Sequence, residues 1–303
     1  MPIRDRRSAV ILTVLASLLW GTSFPGVKWG LSYVGNDVLF LWLRFLFASV
    51  VTLAIVIYMG RFSFSVLRNP WIWLIGAFNA GGFIAQYVGL TMTTASKTVL
   101  LVDINVIAVA IVSLYAFRER LNKVQIAGIL TGMIGIVFLT SEGGLSFTGS
   151  EFFGDVLVYL AGWSWAFFIV FNKKMLSRYS AVEISTAAIT TSTIWLIFPL
   201  AYLAGTGADF TIEPNAWAAI IYLGIACTSV ATLLWAMGLE GVSATSSATI
   251  MLLEVVTALL ISFTLLHESL MEMAIIGAAL VLASIYLVSS SGGDDDKSPV
   301  VHT

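Results

Sequence analysis

The sequence predicts an all-α membrane protein of ten transmembrane helices, built as two inverted five-helix repeats with both termini cytoplasmic. Three observations predict it. Of 303 residues, 59% are apolar and only 11% are charged, whereas soluble domains carry about 45–50% apolar residues even with Gly counted and about 25% charged ones. The apolar residues fall into ten runs, each near the roughly 20 residues that take a helix across the hydrocarbon core. Residues of the first five runs recur, in order, in the second five.

The first run, 8–28, follows Arg4, Arg6 and Arg7 in the manner of a leader peptide, and Arg6-Arg7 hints at a twin-arginine signal. Its apolar stretch continues to Val27 without a small-x-small cleavage site, so the segment is expected to be retained. The second run, 37–58, holds Arg44. The third, 71–91, carries Asn79 and Gln86 seven apart, hence on one face after two turns, with a weak point at Ala80-Gly81-Gly82. Asp103 and Asn105 lie in the fourth, 97–117. The fifth, 124–141, sets Gly128, Gly132 and Gly135 on one face. They suit close packing against Gly277 and Ser284 of the tenth run or, as a second reading, against another copy. The sixth to tenth runs are 155–172, 182–204, 216–238, 246–266 and 272–289. Pro25 and Pro199 are candidate kinks.

Several classes fall away. Cys227 is the only cysteine, so no disulfide forms within the chain, and a net charge of -2 leaves no basic excess for nucleic acid. Continuous apolar runs do not read as the alternating strands of a membrane β-barrel. Orientation follows the positive-inside rule. With the N-terminus cytoplasmic, twelve of the fifteen basic residues fall inside: Arg4, Arg6, Arg7, Arg61, Arg68, Arg118, Arg120, Lys123, Lys173, Lys174, Arg178 and Lys297. Residues 290–303, with Asp294-Asp295-Asp296, read as a flexible cytoplasmic tail. Trp71, Trp73 and Trp217 stand at helix ends as interface anchors.

At an offset of 145, Leu12, Leu15, Ala16, Trp20 and Lys28 meet Leu157, Leu160, Ala161, Trp165 and Lys173. At 149, Gly89-Leu90, Ala95, Ser113, Glu119, Leu121, Gly128 and Ile136 meet Gly238-Leu239, Ala244, Ser262, Glu268, Leu270, Gly277 and Ile285. Five spans is an odd number, so the second copy enters the membrane upside down. Inverted repeats of this kind supply two bundles that rock about a central site, the architecture of many secondary transporters.

Trp20-Gly21-Thr22-Ser23-Phe24 with Lys28, Gly89-Leu90 before the fourth helix, and Arg118-Glu119-Arg120-Leu121 followed by Gly128, Gly132 and Gly135 resemble an EamA-type repeat. Leu253-Glu254-Val255, His267-Glu268-Ser269-Leu270 and Gly277 resemble its second copy. The resemblance is to the drug/metabolite transporter superfamily, with repeat domains expected at 8–141 and 154–289. It implies a ten-helix carrier that exports amino acids or moves other small metabolites through a cavity opened to each side in turn. One departure stands out: members often place Pro after the Glu of the ninth helix, whereas here Val255 follows Glu254, and Val106 at the equivalent place in the fourth is not Pro either.

Ionisable groups within a bilayer usually serve a pathway, a pair or a substrate. Glu254, near the midplane, reads as a binding or coupling carboxylate and proton carrier, or else as a structural carboxylate paired with a neighbouring helix. Asn105 is its repeat counterpart. Arg44 and Asp103 share a depth on the outer side, which suggests an ion pair: a gate, a site for a zwitterion's two charges, or a structural pair. Asn79, Gln86 and Tyr87 are expected to line the cavity, and Trp20, Trp165 and Trp235, with Trp163, to give it aromatic faces or else to pack the bundle.

Rival classes find little. Ser164 and His267 fall near opposite faces, which disfavours a Ser–His pair, and His267-Glu268-Ser269 lacks the second His of a zinc helix. The duplication fits alternating access better than a channel filter. The expectation is therefore not an enzyme but a secondary active or facilitative transporter of the cytoplasmic membrane. It needs no cofactor or metal and is driven by protons or by the substrate gradient. Its partners would be the lipid bilayer and a small substrate, either an amino acid or, alternatively, an organic cation or a nucleoside. The protein would be a monomer or a weak homodimer.

Overall fold

The structure, a computed structural model, describes residues 5–58, 60, 65–93, 98, 101–103, 105–117, 121–140, 152–265 and 272–291. Regular structure among these residues is helical, apart from one isolated β-bridge between Val34 and Ile212. The helices are α1 Arg6–Leu31, α2 Asp37–Tyr58, α3 Pro70–Leu90, α4 Asn105–Phe117, α5 Lys123–Thr140, α6 Phe152–Met175, α7 Ala181–Gly205, α8 Ala216–Gly241, α9 Ala244–Met251 continued by Leu253–Leu265, and α10 Glu272–Ser291. Among the described residues eight helices are long and apolar enough to cross a membrane, and Leu101–Phe117 and Lys123–Phe138 are shorter apolar helices. The Arg118-Glu119-Arg120 and His267-to-Leu270 motifs and the acidic tail lie outside the described residues.

Polar residues at the runs' edges start the helices. Asp5 accepts from the Arg7 amide at 3.2 Å, and Asn69 accepts from Trp71 at 3.0 Å ahead of Pro70, which suits the first helical position. Ser180 and Glu183 form a reciprocal capping box at α7. Helix α7 turns at Leu196, where the ring of Pro199 meets the carbonyl of Trp195 four residues before it. Helix α9 breaks at Leu252 with no proline present. Helix α8 is wound as a π-helix over Leu223–Val230.

The main helix pairs come in matching sets. α3 packs on α6 as α8 packs on α1; α4 lies on α6 as α9 lies on α1; α3 meets α7 as α8 meets α2. α5 pairs with α10, its own counterpart. That last seam is made of small residues, as the sequence anticipates. A Cβ on Gly135 would stand 2.8 Å from the Gly277 carbonyl oxygen and 2.9 Å from the Val281 amide nitrogen, and Gly132 faces Ser284. Because the obstacles at Gly135 are backbone, Gly135→Ala is expected to push the helices apart and to cost about 1–3 kcal/mol. A melting temperature in detergent equal to wild type would refute this.

Buried hydroxyls join α7 to its neighbours. Thr191 and Ser192 reach the carbonyls of Ile72 and Gly76 on α3 at 3.3 and 3.2 Å, and Ser49 on α2 lies 2.7 Å from Thr193. Where lipid offers no competing water, such bonds hold helices together.

Candidate functional site

A cavity of about 670 Å³ lies at the centre, walled by α1, α2, α3, α6, α8 and α9 and by Thr98, Val102 and Asn105. Its size is that of a small-ligand pocket. Both repeats contribute. Trp20 and Trp165, the repeat-related pair, face it from α1 and α6. Gly82 makes room for Trp165: a Cβ there would sit 3.0 Å from the indole nitrogen. Asn79, Gln86 and Tyr87 line it from α3, and Asn105 from the start of α4. Asn79 also donates to Ser192 on α7 at 3.0 Å, so the polar face of α3 meets both the cavity and a neighbouring helix.

Glu254 opens onto the cavity from the first turn after the break in α9. Its carboxylate has no hydrogen bond or ion pair among the described residues.

Other expectations need correction. Arg44 and Asp103 do not pair. Arg44 lines the cavity, while Asp103 is buried outside its lining, with Oδ2 unpartnered among the described residues and Glu254 as its charged neighbour. Equal depth fixed how far along the membrane normal each residue lies, but not the direction in which its helix turns it. Trp235 does not touch the cavity either. It is fully buried, stacked on Phe168 at 5.3 Å, and its indole donates to Ser247 at 3.0 Å. It therefore backs Phe168, a wall residue, and Trp20, 6.2 Å away. Trp163 turns to Tyr159 and Phe167 instead.

Arg44 is 2% exposed. Its Nε donates to Thr228 at 2.7 Å, and its guanidinium lies 5.3 Å from the centre of the Phe83 ring. The π-helix supplies that acceptor: the Thr228 hydroxyl itself donates to the Leu223 carbonyl, five residues back, at 2.9 Å. Such segments are frequent at functional sites. Tyr87 faces the guanidinium, its hydroxyl buried without a hydrogen bond of good geometry.

The two ends of the cavity differ. Where α6 and α8 finish, they pack together, and Lys173 donates to the Leu239 and Val242 carbonyls at 2.7 Å each. A lysine at a helix C-terminus satisfies carbonyls that have no partner within the helix. At the opposite end Lys28, the counterpart of Lys173, makes no such bond among the described residues, and Lys28, Leu31, Leu90 and Thr91 line the cavity instead. Beside this opening, the 32–36 loop is tied to the 206–215 loop by Gly35 to Thr211 and Glu213 to Tyr33, both at 3.0 Å.

The EamA-like transporter family matches residues 7–141 and 152–290. The chain belongs to that family. An uncharacterized transporter of Archaeoglobus fulgidus is 30% identical to this EamA-like transporter, over 92% of this chain and 96% of the relative. A probable amino-acid metabolite efflux pump of Salmonella typhimurium is 26% identical over 91% and 93%. A solved crystal structure superposes with a TM-score of 0.81 over 95% of this chain and 98% of that one, at 21% identity, and shows the same fold. The protein is thus a multi-pass helical membrane transporter of the drug/metabolite transporter superfamily, and membership points away from an enzyme.

Among the wall residues of this EamA-like transporter that sequence reasoning missed are Phe83, Phe168 and Thr228. Phe83 had a signal, since it falls between Asn79 and Gln86 on the same face of α3. Thr228 had none, because a π-helical stretch turns residues away from the 3.6-residue period.

Proposed function

We propose that this transporter is a secondary carrier that exports an amino acid or a similarly small metabolite across the cytoplasmic membrane. It would work by alternating access, with ten crossings, both termini in the cytoplasm, and Glu254 carrying the coupling proton. The unequal ends of the cavity support this reading. Lys173 ties α6 to α8, and among the described residues Lys28 makes no equivalent tie between α1 and α3. Exchanging the roles of the two repeats turns an outward-open carrier into an inward-open one, with Lys28 closing on the end of α3 as Lys173 closes on α8. A carboxylate in the wall of a cavity that meets water on each side in turn can exchange a proton with both. The name of the Salmonella relative supports the choice of substrate.

The test is counterflow in proteoliposomes with labelled amino acids, choline-like amines and nucleosides, which requires no assumption about the driving ion. Saturable exchange of amino acids is expected, reduced about tenfold or more by Trp20→Ala, a loss of about 1.4 kcal/mol or more. Protein that is folded but exchanges nothing in the panel would reject an amino acid, an amine or a nucleoside as cargo.

A further inference from the structure

We propose that Arg44 and Tyr87 form a carboxylate-binding pole of the cavity. The cargo, on the carrier reading above, would then be a small organic acid or zwitterion whose apolar body lies against Trp20, Phe83 and Trp165.

A charge inside a membrane protein is costly and normally has a counter-charge. Arg44 has none in contact. Of its five N–H groups only Nε makes a hydrogen bond of good geometry among the described residues, and its acceptor is a neutral hydroxyl. The Phe83 ring covers one face of the guanidinium. The buried Tyr87 hydroxyl stands beside it without a hydrogen bond of good geometry. Asp37, two turns earlier on α2 and not in ion-pair contact with Arg44, and Lys28 on α1 are further charged residues of the cavity wall.

If Arg44 only fastened α2 to α8, a neutral donor would serve Thr228 without the cost of burying a charge. A guanidinium with donors turned to a cavity is instead the geometry that takes a carboxylate through two parallel hydrogen bonds, with the Tyr87 hydroxyl as a third donor. The remaining wall suits an apolar body, since Trp20, Phe83 and Trp165 are aromatic.

Three compounds sharing one branched aliphatic body separate the charges: 4-methylpentanoate, 3-methylbutylamine and L-leucine. Their binding to the full-length protein in detergent is measured by calorimetry. Wild type is expected to bind the acid and leucine. Arg44→Gln should weaken both about ten- to a hundredfold, the worth of a charge-assisted hydrogen bond, and leave the amine as in wild type. Tyr87→Phe, which keeps the charge and the ring, should weaken the acid severalfold and leave the amine unchanged; it serves if Arg44→Gln does not fold. Arg44→Met should melt, without ligand, at or above the wild-type temperature, which a residue kept for structure would not do. Equal binding of the acid by wild type and Arg44→Gln overturns the proposal, and so does wild type that binds neither carboxylate. Leucine counterflow indifferent to Arg44→Gln would keep the carrier and reject the pole. Arg44-dependent binding of the acid with no flux of any compound would keep the pole and reject the carrier.

Discussion

Glu254→Gln is expected to abolish uptake driven by a pH gradient, by tenfold or more, while counterflow at equal pH on both sides persists. Gln keeps the shape and hydrogen-bonding capacity of the side chain but cannot give up or take on a proton, so the two measurements separate coupling from binding. The residue is open to the cavity and, among the described residues, has no cation in contact, so no ion pair among them is broken by the change. Flux that still follows the pH gradient in the variant would end the assignment of Glu254 as proton carrier. Loss of counterflow as well would make the carboxylate part of substrate binding.

Lys173→Met is expected to unfasten the end of the cavity where α6 meets α8. Two charge-assisted bonds are lost, and at about 1.5–3 kcal/mol each either one moves the balance between closed and open about tenfold or more. The readout is a cysteine replacing Ile169, a cavity residue one turn from Lys173, in a Cys227→Ser background. A membrane-impermeant thiol reagent is applied to the cytoplasmic face of inside-out vesicles. Labelling should accelerate tenfold or more in Lys173→Met and stay slow in Lys173→Arg, which keeps the charge. An unchanged rate would show that apolar packing alone closes this end.

Much of the fold was legible because a bilayer allows few solutions: a long apolar run must satisfy its backbone internally, and a helix does so. The glycine face of α5 was legible for a related reason, since small residues in register permit close approach, and Gly132 and Gly135 do meet Ser284 and Gly277. The site was legible where the repeat spoke, as with Trp20 and Trp165, or where two polar residues shared a helix face, as with Asn79 and Gln86. It failed where azimuth mattered. Nothing in a linear sequence says that Asp103 turns away from Arg44, or that Trp235 stands one layer behind Phe168. Local winding was invisible too: the π-helix of α8 and the proline-free break in α9 carry no residue signature, yet they set Thr228 and Glu254 where they are.

The junction of α2 with α8 and that of α7 with α3 are equivalent under the repeat, but only the first is charged. One rests on Arg44 and Thr228, the other on the neutral bond from Asn79 to Ser192. A carrier made of two identical halves would present the same affinity to both compartments. This one places a fixed positive charge on one side of its symmetry axis, so half-saturation for an anionic or zwitterionic cargo must differ between the two faces. Microscopic reversibility then sets the compensation: without a driving ion, the face that saturates at lower concentration must also have the lower maximal rate. The result is a valve-like preference in kinetics, with no preference in the final distribution.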